Sequence, residues 1–104
     1  MEGTQFIEIS WTSGSLDEAR RVARYLVQER IVAGAQISPW VEAIYLWDNQ
    51  LETTQETRVT FRTARDRFDE VVKIIKENSG YEIPEIAFTA IEGGDAAYLE
   101  WMKQ

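Results

Sequence analysis

Two side chains are missing altogether: the 104 residues include no cysteine and no histidine. Disulfides, thiolate metal sites, zinc fingers, cysteine nucleophiles and Ser-His-Asp triads are thereby excluded. Imidazole is also the group whose unperturbed pKa lies nearest neutrality, so acid–base work would fall to shifted carboxylates, Lys or Tyr. Sulfur enters only through Met1 and Met102, so a tight Cu(I) site within one chain is not expected. No apolar run approaches the ~18 residues of a membrane span. Met1 to Ser10 lacks the basic start and apolar stretch of a signal peptide. Basic residues are in the minority, 11 against 18 acidic, for a net charge of −7. With a pI near 4.6, the phosphate backbone of a nucleic acid would be repelled. The expectation is a cytoplasmic protein with neither nucleic-acid nor membrane partners. No catalytic constellation is present, so no enzyme is expected. Gly93-Gly94-Asp95 is too short for a phosphate-binding loop.

What is present suffices for one domain spanning residues 1–104, with an apolar fraction of 44%. Phe6 to Trp11 alternates, with Ile7, Ile9 and Trp11 on one face, and reads as a strand. Ser15 and Glu18 have capping-box spacing. They open a helix whose stripe is Ala19, Val22, Ala23, Leu26 and Arg30. A second strand region runs from Val32 to Trp47, with Pro39 marking an edge or a bulge. Beyond it Val41, Ala43, Tyr45 and Trp47 alternate with Glu42, Ile44 and Leu46. Asp48-Asn49-Gln50 turns the chain into a third strand, Leu51 to Thr63, making a hairpin. Thr63 is placed to cap a second helix with the stripe Phe68, Val71, Val72 and Ile75. Asn78-Ser79-Gly80 ends that helix. Ile86 to Ile91 is the last strand, and Asp95 caps a short terminal helix through Met102.

The order β-α-β-β-α-β plus a short helix is the ferredoxin-like split pattern, an α+β fold. It predicts an antiparallel sheet with both long helices on one face. The uncovered face should be polar, yet the second strand is apolar on both faces, with Trp40 and Trp47 nearby. Val41 to Trp47 alone spans about 20 Å at ~3.3 Å per residue. Such a hairpin calls for a partner surface, and self-association is the expectation. The competing reading is an aromatic sheet face covered by the terminal helix through Tyr98 and Trp101.

Two groups of residues could carry chemistry. Tyr81-Glu82-Ile83-Pro84-Glu85 offers oxygen donors on a loop fixed by proline. It is either a small site for a cation or ligand donor, or simply an ordered approach to the last strand. Glu52, Glu56, Arg58 and Arg62 share one strand face. They form either a polar site of both signs or a solvated ion-pair surface. Carboxylates alone can hold hard ions such as Ca²⁺ or Mg²⁺.

Glu29-Arg30-Ile31-Val32-Ala33, then Pro39, then Ile44-Tyr45-Leu46-Trp47 resembles the "E-R-L-A-A-C … P … Y-x-W" stretch of the CutA divalent-cation-tolerance family. Tyr81-Glu82-Ile83-Pro84-Glu85-Ile86 is similar to that family's "H-P-Y-E-V-P-E-I" signature. Asp95 with Tyr98-Leu99-Glu100-Trp101-Met102 is similar to its C-terminal "Y-L-x-W-I". The likeness runs through nearly the whole chain in order. It implies a ferredoxin-like subunit in a tight homotrimer, long hairpins packed between subunits, and a link to tolerance of divalent metals, notably copper.

The departures from the family pattern fall on its soft donors. Trp11 stands where a Cys is common, Gly34 replaces the Cys of "A-A-C", and the His before the Tyr-Glu motif is lost within Asn78-Ser79-Gly80. Of the family's proposed ligands, Glu85 carries over, with Glu82 beside it. Tyr81, Glu56, Arg62 and Trp47 also match, as does Glu52, and the first four are the expected lining of an intersubunit cleft. The expected function is a CutA-like homotrimer in the response to divalent metals. The only cofactor this donor set suggests is a weakly bound divalent cation. The alternatives are a trimer sensing small ligands, resembling the PII-like proteins, and a structural or partner-binding trimer without metal.

Overall fold

The computed structural model describes residues 5–103. Its elements are β1 (Phe6–Ser13), α1 (Leu16–Gln28), β2 (Gly34–Trp47), β3 (Gln50–Ala64), a 3₁₀ turn (Arg65–Arg67), α2 (Phe68–Asn78), β4 (Glu85–Ile91) and α3 (Ala96–Met102). The strands form one antiparallel sheet in the order β2-β3-β1-β4. This is the ferredoxin-like α+β arrangement expected.

Strand alternation decides what is buried. Ile7, Ile9 and Trp11 of β1 lie opposite Thr63, Phe61 and Val59 of β3. Apart from Thr63, these side chains pack with Ala19, Val22, Ala23 and Leu26 of α1 and Val71 and Ile75 of α2 in one core cluster. Trp11 and Phe61 stack at 6.4 Å between centroids. Both long helices therefore cover the same face. The even-numbered residues of β1 take the opposite face. Across it the strands align Glu85, Thr12, Arg58 and Ser38 in one row and Ala87, Ser10, Thr60 and Gln36 in the next. The open face of the sheet body is thus polar, and the apolar excess expected there is confined to the hairpin.

Several local expectations are corrected. Ser15 does cap α1, accepting from Glu18 N–H at 3.2 Å. The reciprocal half of the capping box is missing, because the Glu18 carboxylate is drawn to Ser13 Oγ and Gly80 N–H instead. Arg30 is not on the helix stripe. It follows the Glu29 C-cap at φ 61°. Arg30 N–H bonds Val27 O at 3.0 Å and Ile31 N–H bonds Leu26 O at 2.9 Å. That is a Schellman ending with arginine where glycine is usual. Thr63 does not cap α2. The β1 ladder holds the strand through Ala64, and Thr63 Oγ1 donates to Ile31 O at 2.8 Å. α2 starts at Phe68 without a side-chain cap. Asp95 caps α3 as expected, accepting from Tyr98 N–H at 3.1 Å.

The hairpin is the long feature of a molecule measuring 46 × 25 × 22 Å. Asp48 and Asn49 both have positive φ, 54° and 64°, and Trp47 lies opposite Gln50. A two-residue turn with both central residues left-handed is the type I′ hairpin connection. Near the base of the hairpin, Pro39 and Trp40 bulge out between the pairs Ser38↔Arg58 and Val41↔Glu56. The proline is tolerated because β2 is an edge strand. Thr57 Oγ1 ties the bulge down by donating to Pro39 O at 3.2 Å.

Candidate functional site

Where β1 ends at Ser13, the chain leaves β3 uncovered at Glu56. The loop between α2 and β4 fills this gap with Tyr81. Tyr81 OH donates to Glu56 Oε2 at 3.0 Å, and Thr54 Oγ1 donates to the same oxygen at 3.0 Å. Residue 14 has to be small here: a Cβ on Gly14 would lie 2.7 Å from Tyr81 Oη. Glu18 holds the start of the loop. One carboxylate oxygen accepts from Ser13 Oγ at 2.7 Å, and the other from Gly80 N–H at 3.1 Å.

The Tyr81 phenol is pushed up from 10.0 to about 12. Burial contributes most, followed by its hydrogen bond to Glu56 and the negative charge there; Tyr45 and Glu18 add to the effect. The phenol is therefore a standing proton donor to Glu56 throughout the neutral range. On β1, Trp11 Nε1 and Thr12 Oγ1 are buried polar atoms without a hydrogen-bond partner among the described residues.

Of the residues singled out from sequence, only Tyr81 and Glu56 touch. Trp47 is exposed at the far end of the hairpin, six residue pairs or about 20 Å from Val41 and Glu56. Arg62 lies six residues the other way along β3, with its guanidinium 3.6 Å from Glu8. Arg58 Nη1 donates to Ser10 Oγ at 3.0 Å. The face shared by Glu52, Glu56, Arg58 and Arg62 is thus spread along a strand rather than gathered. Glu85 opens β4 opposite Thr12. Glu82 faces a shallow concavity with Phe68, Val72, Lys76, Ile83, Pro84 and Ile86. Among the described residues no three acidic side chains converge to hold a metal. The donor set of one chain does not fit a resident soft metal, and Glu82 and Glu85 have no third carboxylate to complete a hard-ion site.

Sequence reading missed Gly14, Glu18 and Thr54. Nothing near Gly14 in the sequence signals its requirement, which is room for a ring 67 residues later in the chain. Glu18 carried a visible signal, the capping-box spacing, but its carboxylate has a different destination.

The chain is thus a two-layer βαββαβ domain with an extended β2–β3 hairpin and a Tyr–Glu pair at the hairpin's base. Residues 7–104 match the family model described as CutA1 divalent ion tolerance protein. The chain belongs to the CutA family. It is 31% identical over 93 residues to the divalent-cation tolerance protein CutA of Thermus thermophilus, covering 89% of this chain and 90% of that one. Against the chloroplastic CutA 1 protein of Oryza sativa it is 30% identical over 87 residues, 84% of this chain. The chain spans about half the length of that relative and of the chloroplastic CutA of Arabidopsis thaliana, 49% and 48% respectively. Among solved structures, CutA1 from Shewanella sp. SIB1 superposes with a TM-score of 0.93 at 30% identity, covering 98% of this chain and 95% of that one. A CutA from Archaeoglobus fulgidus, described as periplasmic, gives 0.90 at 28% identity, with 94% and 95% covered.

Proposed function

We propose that the protein acts in the response to divalent metal ions as a homotrimer assembled through its β2–β3 hairpins. The observation that carries the self-association is the hairpin surface. Ile44, Leu46 and Leu51 are 63%, 69% and 71% exposed on one face. Tyr45 and Trp47 are exposed on the other, with Trp40 at the bulge. A contiguous apolar surface of this kind on a chain of net charge −7 marks an interface rather than a solvated strand. The terminal helix does not shield it. Trp101 reaches Gly34, where a Cβ would lie 3.7 Å from its ring, and Gly34 is at the opposite end of β2.

Direct metal binding, on this reading, is weak and oxygen-based, through Glu85 and Glu82. The family's soft donors are replaced by Trp11, Gly34 and the Asn78–Gly80 segment. Size-exclusion chromatography with light scattering tests the assembly: a mass near three chains is expected, and ~12 kDa at micromolar concentration overturns it. Calorimetry tests the metal reading. Micromolar affinity for Cu²⁺ would contradict the loss of soft donors, whereas weak binding of Ca²⁺ agrees with it. A PII-like site for anionic effectors is not favoured, because Arg62 is engaged by Glu8 and Arg58 by Ser10.

A further inference from the structure

At the end of the sheet away from the hairpin, a cavity of about 370 Å³ lies where α1, β3 and α3 all end. Phe6, Ile31 and Met102 give it apolar walls, and its charged residues are Arg30, Arg67 and Lys103. No Asp or Glu lines it, on a chain where acids outnumber bases 18 to 11. Arg67 and Lys103 each share their charge with a carboxylate three residues away, Glu70 at 2.9 Å and Glu100 at 3.3 Å. Arg30 forms no ion pair among the described residues. It is also the residue held left-handed after α1, at φ 61°, where glycine would take the same backbone without strain. A cation there meets the negative end of α1. An arginine in the last turn would do as much on unstrained backbone, yet α1 has no basic residue in that turn. What position 30 adds is a place on the cavity wall.

We propose that this cavity binds a small organic monoanion, a carboxylate carried on an apolar body, with Arg30 holding the carboxylate. The site stands apart from the metal and trimer readings above and depends on neither. A guanidinium and a carboxylate make two parallel charge-assisted hydrogen bonds. The apolar walls then shed water against the body of the ligand, and the volume is within the range of small-molecule sites. One unpaired guanidinium balances one negative charge. A phosphate ester brings close to two, against a chain whose net charge is already −7.

Sodium hexanoate, titrated at fixed ionic strength and followed by heteronuclear NMR, should shift the backbone amides of Ile31, Val32 and Lys103 saturably. The expected dissociation constant is about 1 mM or below. Arg30→Gly should weaken that binding by about tenfold or more, while its melting temperature stays at or above that of the native chain. The lost binding then cannot be laid to a lost fold. n-Hexanol, equal in length but uncharged, and sodium phosphate, charged but without an apolar body, should leave these amides unshifted at the same concentrations. The proposal is overturned if the hexanoate shifts do not saturate or fall elsewhere in the chain. It is equally overturned if n-hexanol or phosphate reproduces them, or if Arg30→Gly binds hexanoate as the native chain does.

Discussion

In the body of the sheet, Ile7, Ile9, Trp11, Val59 and Phe61 point to the helices and are buried, while Ser10, Arg58, Thr60 and Arg62 point away and stay polar. Beyond the bulge at Pro39 and Trp40 the same two strands continue with no helix over either face. There, Ile44, Leu46 and Leu51 are exposed on one side and Tyr45 and Trp47 on the other. The β2–β3 ladder, shifted by one residue at the bulge, runs through both regions, although β1 pairs with β3 only as far as Thr57, and the pairing of β2 with β3 does not distinguish them. Burial does. The body finds its apolar partners within the chain, and the hairpin has to find them elsewhere.

The contrast can be broken most directly in the body. Phe61→Ala removes a fully buried ring that stacks on Trp11, and about 3–5 kcal/mol of unfolding free energy should be lost. Urea titration measures it, and a loss below about 1 kcal/mol would mean the core is not centred there. Gly14→Ala tests the junction between the regions. Its Cβ would overlap the Tyr81 hydroxyl, with an expected loss of about 1–3 kcal/mol. In a Tyr81→Ala background the same change should be nearly neutral. Arg30→Gly relieves the left-handed residue after α1 and should gain about 1 kcal/mol, a property of the body alone.

The phenol gives a pH-dependent version of the test. The Tyr81 pKa is raised in the folded chain to about 12 from 10.0, so its contribution is complete below pH 10. Above that the unfolded chain ionises first, and stability falls as pH rises toward 12. Denaturation midpoints across this range should lose that slope in Tyr81→Phe. The smallest effect on stability is expected in the hairpin. Leu46→Ser with Leu51→Ser should change the unfolding free energy of the dissociated chain by only about 0.5 kcal/mol, yet abolish the assembled mass in light scattering. A large loss of stability in the dissociated chain would show that the hairpin has partners within its own subunit.

The order of elements was legible because period-two and 3–4–3 apolar spacing survive in short windows. So were the caps at Ser15 and Asp95, which act within three residues. Thr63 was misread because its local neighbourhood suits a cap equally well. Only the pairing with β1, more than 50 residues earlier, keeps it in the strand and turns its hydroxyl to Ile31. Arg30 was misread because a 3–4 spacing cannot tell the last helical turn from the residue that ends it. In the candidate site, Tyr81 and Glu56 were both visible as residues, and their contact was not. Arg62 and Trp47 share their strand faces with the site by parity, yet parity says nothing about the 20 Å of strand on either side of it.

The bulge at Pro39 and Trp40 acts as a phase switch along β2. Before it, Gly34, Gln36 and Ser38 share the open face with the even-numbered residues of β3; after it, Val41, Ala43, Tyr45 and Trp47 do. Deleting one of the two bulged residues would do more than shorten the strand. It would set the remaining residue opposite Thr57 and keep Val41 opposite Glu56, so Tyr45 and Trp47 would hold their face while the local bend and twist at the base of the hairpin would be lost. One extra residue in an edge strand lets the two halves of β2 be varied in sequence independently. One half is held to the chain's own core, and the other is free to follow the surface it meets.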